Sequence, residues 1–98
     1  MVAKNTKELL QENRAILSDH SVKALYLFGS VVRGEDKPGS DVDVLVEFEP
    51  EAHIGLFGMV RLQRDLSEIL GRPVDLVTAE ALHETMKDRI LKEAVRAA

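Results

Sequence analysis

Cysteine and tryptophan are both absent from the 98 residues. Without cysteine there is no disulfide and no thiolate metal ligand, although zero cysteine is common enough by chance to say little about compartment. An excess of positive charge is missing too: 13 Lys and Arg face 17 Asp and Glu, for a net charge of -4. Capture of a nucleic-acid backbone needs clustered Lys and Arg, so a polynucleotide is disfavoured as a direct substrate. No apolar run approaches the roughly 20 residues of a membrane span, and the N-terminus MVAKNTKELL lacks the continuous apolar core of a secretory signal. Both absences point to a cytoplasmic protein with no membrane partner. Internal repeats, low-complexity tracts and linkers are lacking as well. What remains, 45% hydrophobic and 31% charged with 4% aromatic residues, is the composition of one globular domain over 1–98 with room for a single modest core.

Hydrophobic periodicity divides the chain into seven pieces. Asn5 followed by Glu8 has the form of a capping box, and Leu9, Leu10, Ala15, Ile16 and Leu17 recur at helical spacing, which predicts a first helix from about Thr6 to Ser18. Val22 to Phe28 (VKALYLF) is a β-rich run that stops at Gly29. Ser30 to Ser40 is polar and carries Gly34, Pro38 and Gly39, so it reads as a short helical turn and a loop. Asp41 to Phe48 is a second strand. Ile54, Phe57, Leu62, Leu66, Ile69 and Leu70 mark a long amphipathic helix ended by Gly71 and Pro73, and Val74 to Val77 is a short third strand. Leu82, Met86, Ile90, Leu91, Ala94 and Val95 predict a last helix of about four turns. The order α, β, turn, β, α, β, α predicts an α/β (α+β) fold in which helices pack on a sheet of three strands or slightly more.

Chemistry concentrates at one strand mouth. Side chains at i and i+2 of a strand share a face and lie some 6 to 7 Å apart at Cα, so Asp41 and Asp43 stand side by side at the entrance of the apolar run Val44-Leu45-Val46. Asp75, a single acid in Val74-Asp75-Leu76-Val77, joins them if its strand lies beside theirs. Two carboxylates about 5 Å apart repel by roughly 3 kcal/mol at an effective dielectric near 20, equivalent to about two pKa units. A divalent cation removes that cost. Oxygen donors alone, with no Cys and no nearby His, suit Mg²⁺, which keeps waters and takes substrate phosphates as further ligands.

The other end of the loop offers donors for phosphate. Gly29 permits close backbone approach, the Ser30 hydroxyl and the N–H groups of the Ser30 to Arg33 turn can donate, and Arg33 can add a charge-assisted contact. Three familiar motifs fail. Glu35 and Asp36 stand where a P-loop needs Lys and Ser or Thr, the Rossmann glycine pattern is absent, and Leu45 and Val46 occupy EF-hand positions that need an oxygen ligand and a Gly.

Gly29-Ser30, ten intervening residues and Asp41-Val42-Asp43, framed as strand, turn and strand, resemble the G-S-x10-D-x-D signature of the DNA polymerase β-like nucleotidyltransferase superfamily. LFGSVVRGE, SDVDVLVEF, LFGMVRLQRDLSEILGRPVDLVT and RILKEAV extend the resemblance over nearly the whole chain, to the minimal nucleotidyltransferase (MNT) family and its MntA-type antitoxins. The resemblance implies a polymerase β-like palm with a mixed sheet and two Mg²⁺ ions. Asp41 and Asp43 would hold Mg²⁺ ions that bind the nucleoside triphosphate, and Asp75 would bind the catalytic ion and help deprotonate an acceptor hydroxyl. Gly29, Ser30 and Arg33 would bind the nucleotide. It further implies ATP as substrate, in-line attack on the α-phosphate with release of pyrophosphate, and an acceptor tyrosine on a HEPN-domain, HepT-like toxin that adenylylation silences.

Other residues carry plainer readings. His20, His53 and His83 are widely spaced and read as surface or cap residues. Tyr26 reads as core, and Arg61, Arg64, Arg72, Lys87, Arg89, Lys92 and Arg96 as solvated helix faces. Because larger polymerase-like enzymes hold their substrates with added domains, the chain is expected to rely on a protein partner or a dimer. An antitoxin that works by contact alone, with an idle metal site, is the alternative; transfer to a small-molecule hydroxyl ranks third, since no extra segment exists to bind one.

Overall fold

The computed structural model describes residues 5–35, 37, 39–82 and 84–98. Asn5 caps α1 (Thr6–Glu12) as the capping box predicts: its Oδ1 accepts from the Glu8 N–H at 2.9 Å, and its Nδ2 donates to Glu8 Oε1 at 3.0 Å. The single first helix of the sequence reading is in fact two, α1 and α2 (Arg14–Asp19), because Asn13 leaves helical geometry at φ -108°, ψ 27°. Its Nδ2 donates to the Leu9 carbonyl at 2.8 Å, a case of an Asn side chain competing with the backbone for the helix's own acceptors.

Four strands make one mixed sheet in the order β3-β2-β1-β4. Central β1 (Val22–Phe28) and β2 (Val42–Phe48) run antiparallel, with Leu25 opposite Val46, Leu27 opposite Val44 and Phe28 opposite Asp43. On the other side of β2, β3 (Val74–Thr78) is parallel, reached through the fifteen-residue helix α4 (Leu56–Leu70). Between β1 and β2 lies the single turn of α3 (Ser30–Arg33); after β3 come a 3-10 turn (Ala79–Ala81) and α5 (Glu84–Glu93).

The two faces of the sheet differ. Leu25 and Leu27 of β1, Val42, Val44 and Val46 of β2 and Val74 of β3 are buried in one cluster with Leu10, Leu17, Leu62, Leu66 and Leu70. Leu62, Leu66 and Leu70 recur every fourth residue, so one stripe of α4 delivers all three to the sheet. His20, at the C-terminal end of α2, places Nε2 2.7 Å from Asp65 Oδ2 and ties α2 to α4. The opposite face carries Asp43 and Leu45, and here Tyr26 departs from the core position expected of it. It is half-buried, and with Leu45, Glu47, Phe48, Leu91 and Ala94 it lines an open cavity of ≈ 650 Å³.

The C-terminus departs from the sequence reading too. Its helix stops at Glu93, and Val95–Arg96 forms β4, antiparallel to β1 with Leu27 opposite Val95. The Ala97 N–H donates to the Leu25 carbonyl at 2.8 Å and the Leu25 N–H to the Ala98 carbonyl at 3.1 Å. An otherwise bare edge of β1 is thereby satisfied, a demand that helical periodicity does not register. His83 lies outside the described residues. No helix among the described residues is long and apolar enough to cross a membrane.

Leu66 is fully buried whereas Phe57, on the same helix, is 78% exposed. Leu66→Ala is expected to lower the unfolding free energy by about 2–5 kcal/mol, as cavity-forming core truncations do. Phe57→Ala is expected to stay within about 0.5 kcal/mol of the parent, as exposed sites do. Urea denaturation of the two variants measures the difference.

Candidate active site

The parallel register of β2 and β3 sets Asp43 directly opposite Asp75. Asp41 stands just ahead of β2, exposed to solvent, while Asp43 is half-buried. Burial pushes the Asp43 carboxyl above its ordinary value, the negative charges of Asp75 and then Asp41 add to the rise, Arg33 opposes it and Glu93 reinforces it. Asp43 therefore feels both other acids. Among the described residues, however, no three carboxylate or imidazole groups stand close enough to form a ready-made metal cage. Mg²⁺ asks for only one or two protein carboxylates beside waters and phosphate oxygens. The donor set, oxygen only and with Asp43 flanked by two further acids, fits that ion.

Gly29 closes the site from the side of β1. Its φ of 75° and ψ of -148° lie in a region that essentially only glycine occupies. A Cβ there would overlap the Asp43 carboxylate, coming within 3.1 Å of its Cγ. The turn and the carboxylate are thus packed against each other because no side chain separates them. Ser30 is the first residue of α3 rather than its cap, and no side-chain cap bond is made there. The approach to Asp41 is fixed from behind: Arg72 Nε donates to the Ser40 carbonyl at 3.0 Å, and the Lys37 N–H donates to Ser40 Oγ at 2.9 Å.

Arg33 is held by two carboxylates, its Nε 3.1 Å from Glu35 Oε2 and its Nη1 2.7 Å from Glu93 Oε1. These contacts raise its pKa above the ordinary value, the Glu35 hydrogen bond most of all. The same Glu93 oxygen accepts the Gly29 N–H at 2.8 Å. Sequence reasoning passes over Glu93, a lone acid near the end of an amphipathic helix 64 residues from Gly29. Nothing in the local pattern marks it: Glu93 ends α5, and it reaches Gly29 because Val95, two residues on, pairs with Leu27 of β1.

The model of the nucleotidyltransferase domain family matches residues 6–97. A protein of Methanocaldococcus jannaschii provisionally named a protein adenylyltransferase is 44% identical over 93% of this chain and 96% of its own. The protein adenylyltransferase MntA of Thermococcus cleftensis is 37% identical over 88% of this chain and 93% of its own. A solved structure, provisionally described as a minimal nucleotidyltransferase, superposes with a TM-score of 0.74 at 31% identity, covering 97% of this chain and 98% of that one. The Shewanella oneidensis complex of a tri-AMPylated HEPN toxin with an MNT antitoxin shares the fold at a TM-score of 0.68 and 18% identity, with 96% of this chain and 72% of that one covered.

Two substitutions test the packing of turn against carboxylate. Gly29→Ala is expected to destabilise the fold by about 1–2 kcal/mol for the left-handed backbone alone, and further through overlap with Asp43. Asp43→Asn is expected to act in the opposite sense. A carboxyl whose folded pKa is raised binds its proton more tightly in the folded state, so ionisation at neutral pH works against folding. The variant should melt above the wild type at pH 7 without added metal, and the gap should close as the pH falls below the ordinary carboxylate range.

Proposed function

The chain belongs to the nucleotidyltransferase domain family, and from that premise we propose that it transfers AMP from ATP to a tyrosine hydroxyl of a HEPN-type toxin, as the antitoxin of a toxin–antitoxin pair. One observation carries the reading: Asp43 stands in register with Asp75, under a glycine turn that fits only because it has no side chain. Protein adenylyltransferase is the activity named for relatives that match the chain nearly end to end, and the HEPN partner follows the Shewanella complex of the same fold.

The roles divide by position. Asp41 and Asp43, side by side at the mouth of β2, hold Mg²⁺ together with the triphosphate, and Asp75 holds the second ion. When bound, the metal neutralises charge on the attacking and leaving oxygens. Gly29, Ser30 and Arg33 face the phosphates from the turn and orient the chain of phosphoryl groups so that the leaving pyrophosphate points away from the acceptor. Asp75, exposed at the edge of the sheet, receives the proton of the tyrosine hydroxyl as its oxygen bonds to the α-phosphorus. The bond from that phosphorus to the bridging oxygen breaks, and pyrophosphate carries the electron pair away.

Incubation of the chain with a co-encoded HEPN-domain protein, Mg²⁺ and ATP labelled in its α-phosphate or adenosine should label that protein. Asp41→Ala combined with Asp43→Ala is expected to reduce labelling by about 10²-fold or more, the scale on which loss of transition-state charge stabilisation is felt. Chelation of the metal should do the same, and Tyr→Phe in the acceptor should leave no label. Equal labelling by wild type and double variant would dismiss the catalytic assignment. Neutralisation of the toxin by Asp43→Asn, with no label transferred, would favour the contact-only antitoxin.

A further inference from the structure

The groups assigned above to the phosphates are already engaged. A single oxygen, Glu93 Oε1, accepts the Gly29 N–H at 2.8 Å and the Arg33 Nη1 at 2.7 Å. Glu35 takes the guanidinium from a second side at 3.1 Å. An amide hydrogen in a charge-assisted bond to a carboxylate is not free for a phosphate oxygen, and a guanidinium flanked by two carboxylates presents little net charge to a third anion. Glu93 thus makes the contacts with which a phosphate would be recognised. We propose that Glu93 is an internal competitor of the nucleotide, an anion that must leave the Gly29 amide and Arg33 before a triphosphate can take them.

The position of Glu93 suits the part. It is the last residue of α5, one residue short of the strand that anchors the C-terminus to β1, and its side chain is 25% exposed. Its withdrawal cuts the tie between the end of α5 and the Gly29–Arg33 turn and leaves that end held by the Ala94 N–H on the Ile90 carbonyl at 2.8 Å and by the short strand β4. The carboxylate also lies within electrostatic reach of Asp43 and adds to the negative field there. Entry of a polyanion beside Asp41, Asp43 and Asp75 is favoured when Glu93 withdraws. By linkage, whatever draws the end of α5 away from the turn tightens nucleotide binding, and nucleotide loosens that end in return. The inference rests on the assignment of Gly29 and Arg33 to phosphate.

Calorimetric titration of the full chain with Mg²⁺-tripolyphosphate and with Mg²⁺-AMP-PNP separates the possibilities. Glu93→Gln keeps the size of the side chain and an acceptor for the Gly29 N–H but removes the charge; Glu93→Ala removes both. Each is expected to bind both probes roughly five-fold or more tighter than wild type. Tripolyphosphate should also speed amide exchange in residues 84–93 of the wild type. Binding by wild type that Glu93→Gln leaves equal or weakens overturns the competitor role and leaves the nucleotide site standing. Binding of neither probe by any of the three proteins removes the nucleotide site itself, and the inference with it. If neither variant shows a melting transition, amide exchange in the wild type decides, and unchanged exchange under saturating tripolyphosphate overturns the proposal.

Discussion

Side chains of a strand alternate between its two faces, and in β2 the alternation separates valines from aspartates. Val42, Val44 and Val46 go into the core with α4 and the α1–α2 pair, which leaves Asp41 and Asp43 no choice but the other face. The burial that stabilises the fold therefore also holds two like charges beside each other, and the parallel pairing with β3 brings Asp75 opposite the second of them. Sliding the register by one residue to relieve the repulsion would carry every valine into solvent. Repulsion of a few kcal/mol cannot compete with the burial of three valines in the centre of a sheet.

Most of this logic is readable along the chain, because it has a period of two residues. The alternation of DVDVLV marks both the strand and the face of its acids, and the alternation in VDLV does the same for Asp75. The valine-rich strands and the Leu62, Leu66, Leu70 stripe carry their own signal, so four of the predicted elements stand within a residue or two of where periodicity puts them. Misreadings arise where a long-range demand outweighs a local one. Asn13 sits in a good helical pattern yet spends its side chain on the Leu9 carbonyl. Val95 continues a helical stripe yet serves the open edge of β1. Tyr26 is in the middle of an apolar strand, but its face is the one that no long helix covers.

In the connection between β1 and β2, the meeting of turn and carboxylate is set by the strands rather than by the loop that follows Arg33. Gly29 and Asp43 meet because Phe28 and Asp43 are partners across β1 and β2. That pairing is set by Leu27 with Val44 and Leu25 with Val46, all in the core. The intervening residues bridge two points already in contact, and α3 at their start carries Ser30 and Arg33 to the site. Arg72 holds the far end of the loop by the Ser40 carbonyl, keeping Asp41 at the mouth of its strand.

Glu93 reaches the site by the same principle applied to the other edge of β1. The pairing of Leu27 with Val95 belongs to the sheet, not to the site, yet it holds the end of α5, two residues earlier, where the Glu93 carboxylate accepts the Gly29 N–H. Gly29 is thus pressed from both neighbours of its strand, by the Asp43 carboxylate across β2 and by the Glu93 carboxylate from the direction of β4. Only the second of these is an acceptor for its N–H, and only the second is carried at the end of a helix, α5, whereas Asp43 lies within the seven-residue β2 at the centre of the sheet. If one of the two anions flanking this glycine is to give way to a polyphosphate, the sheet has already determined which.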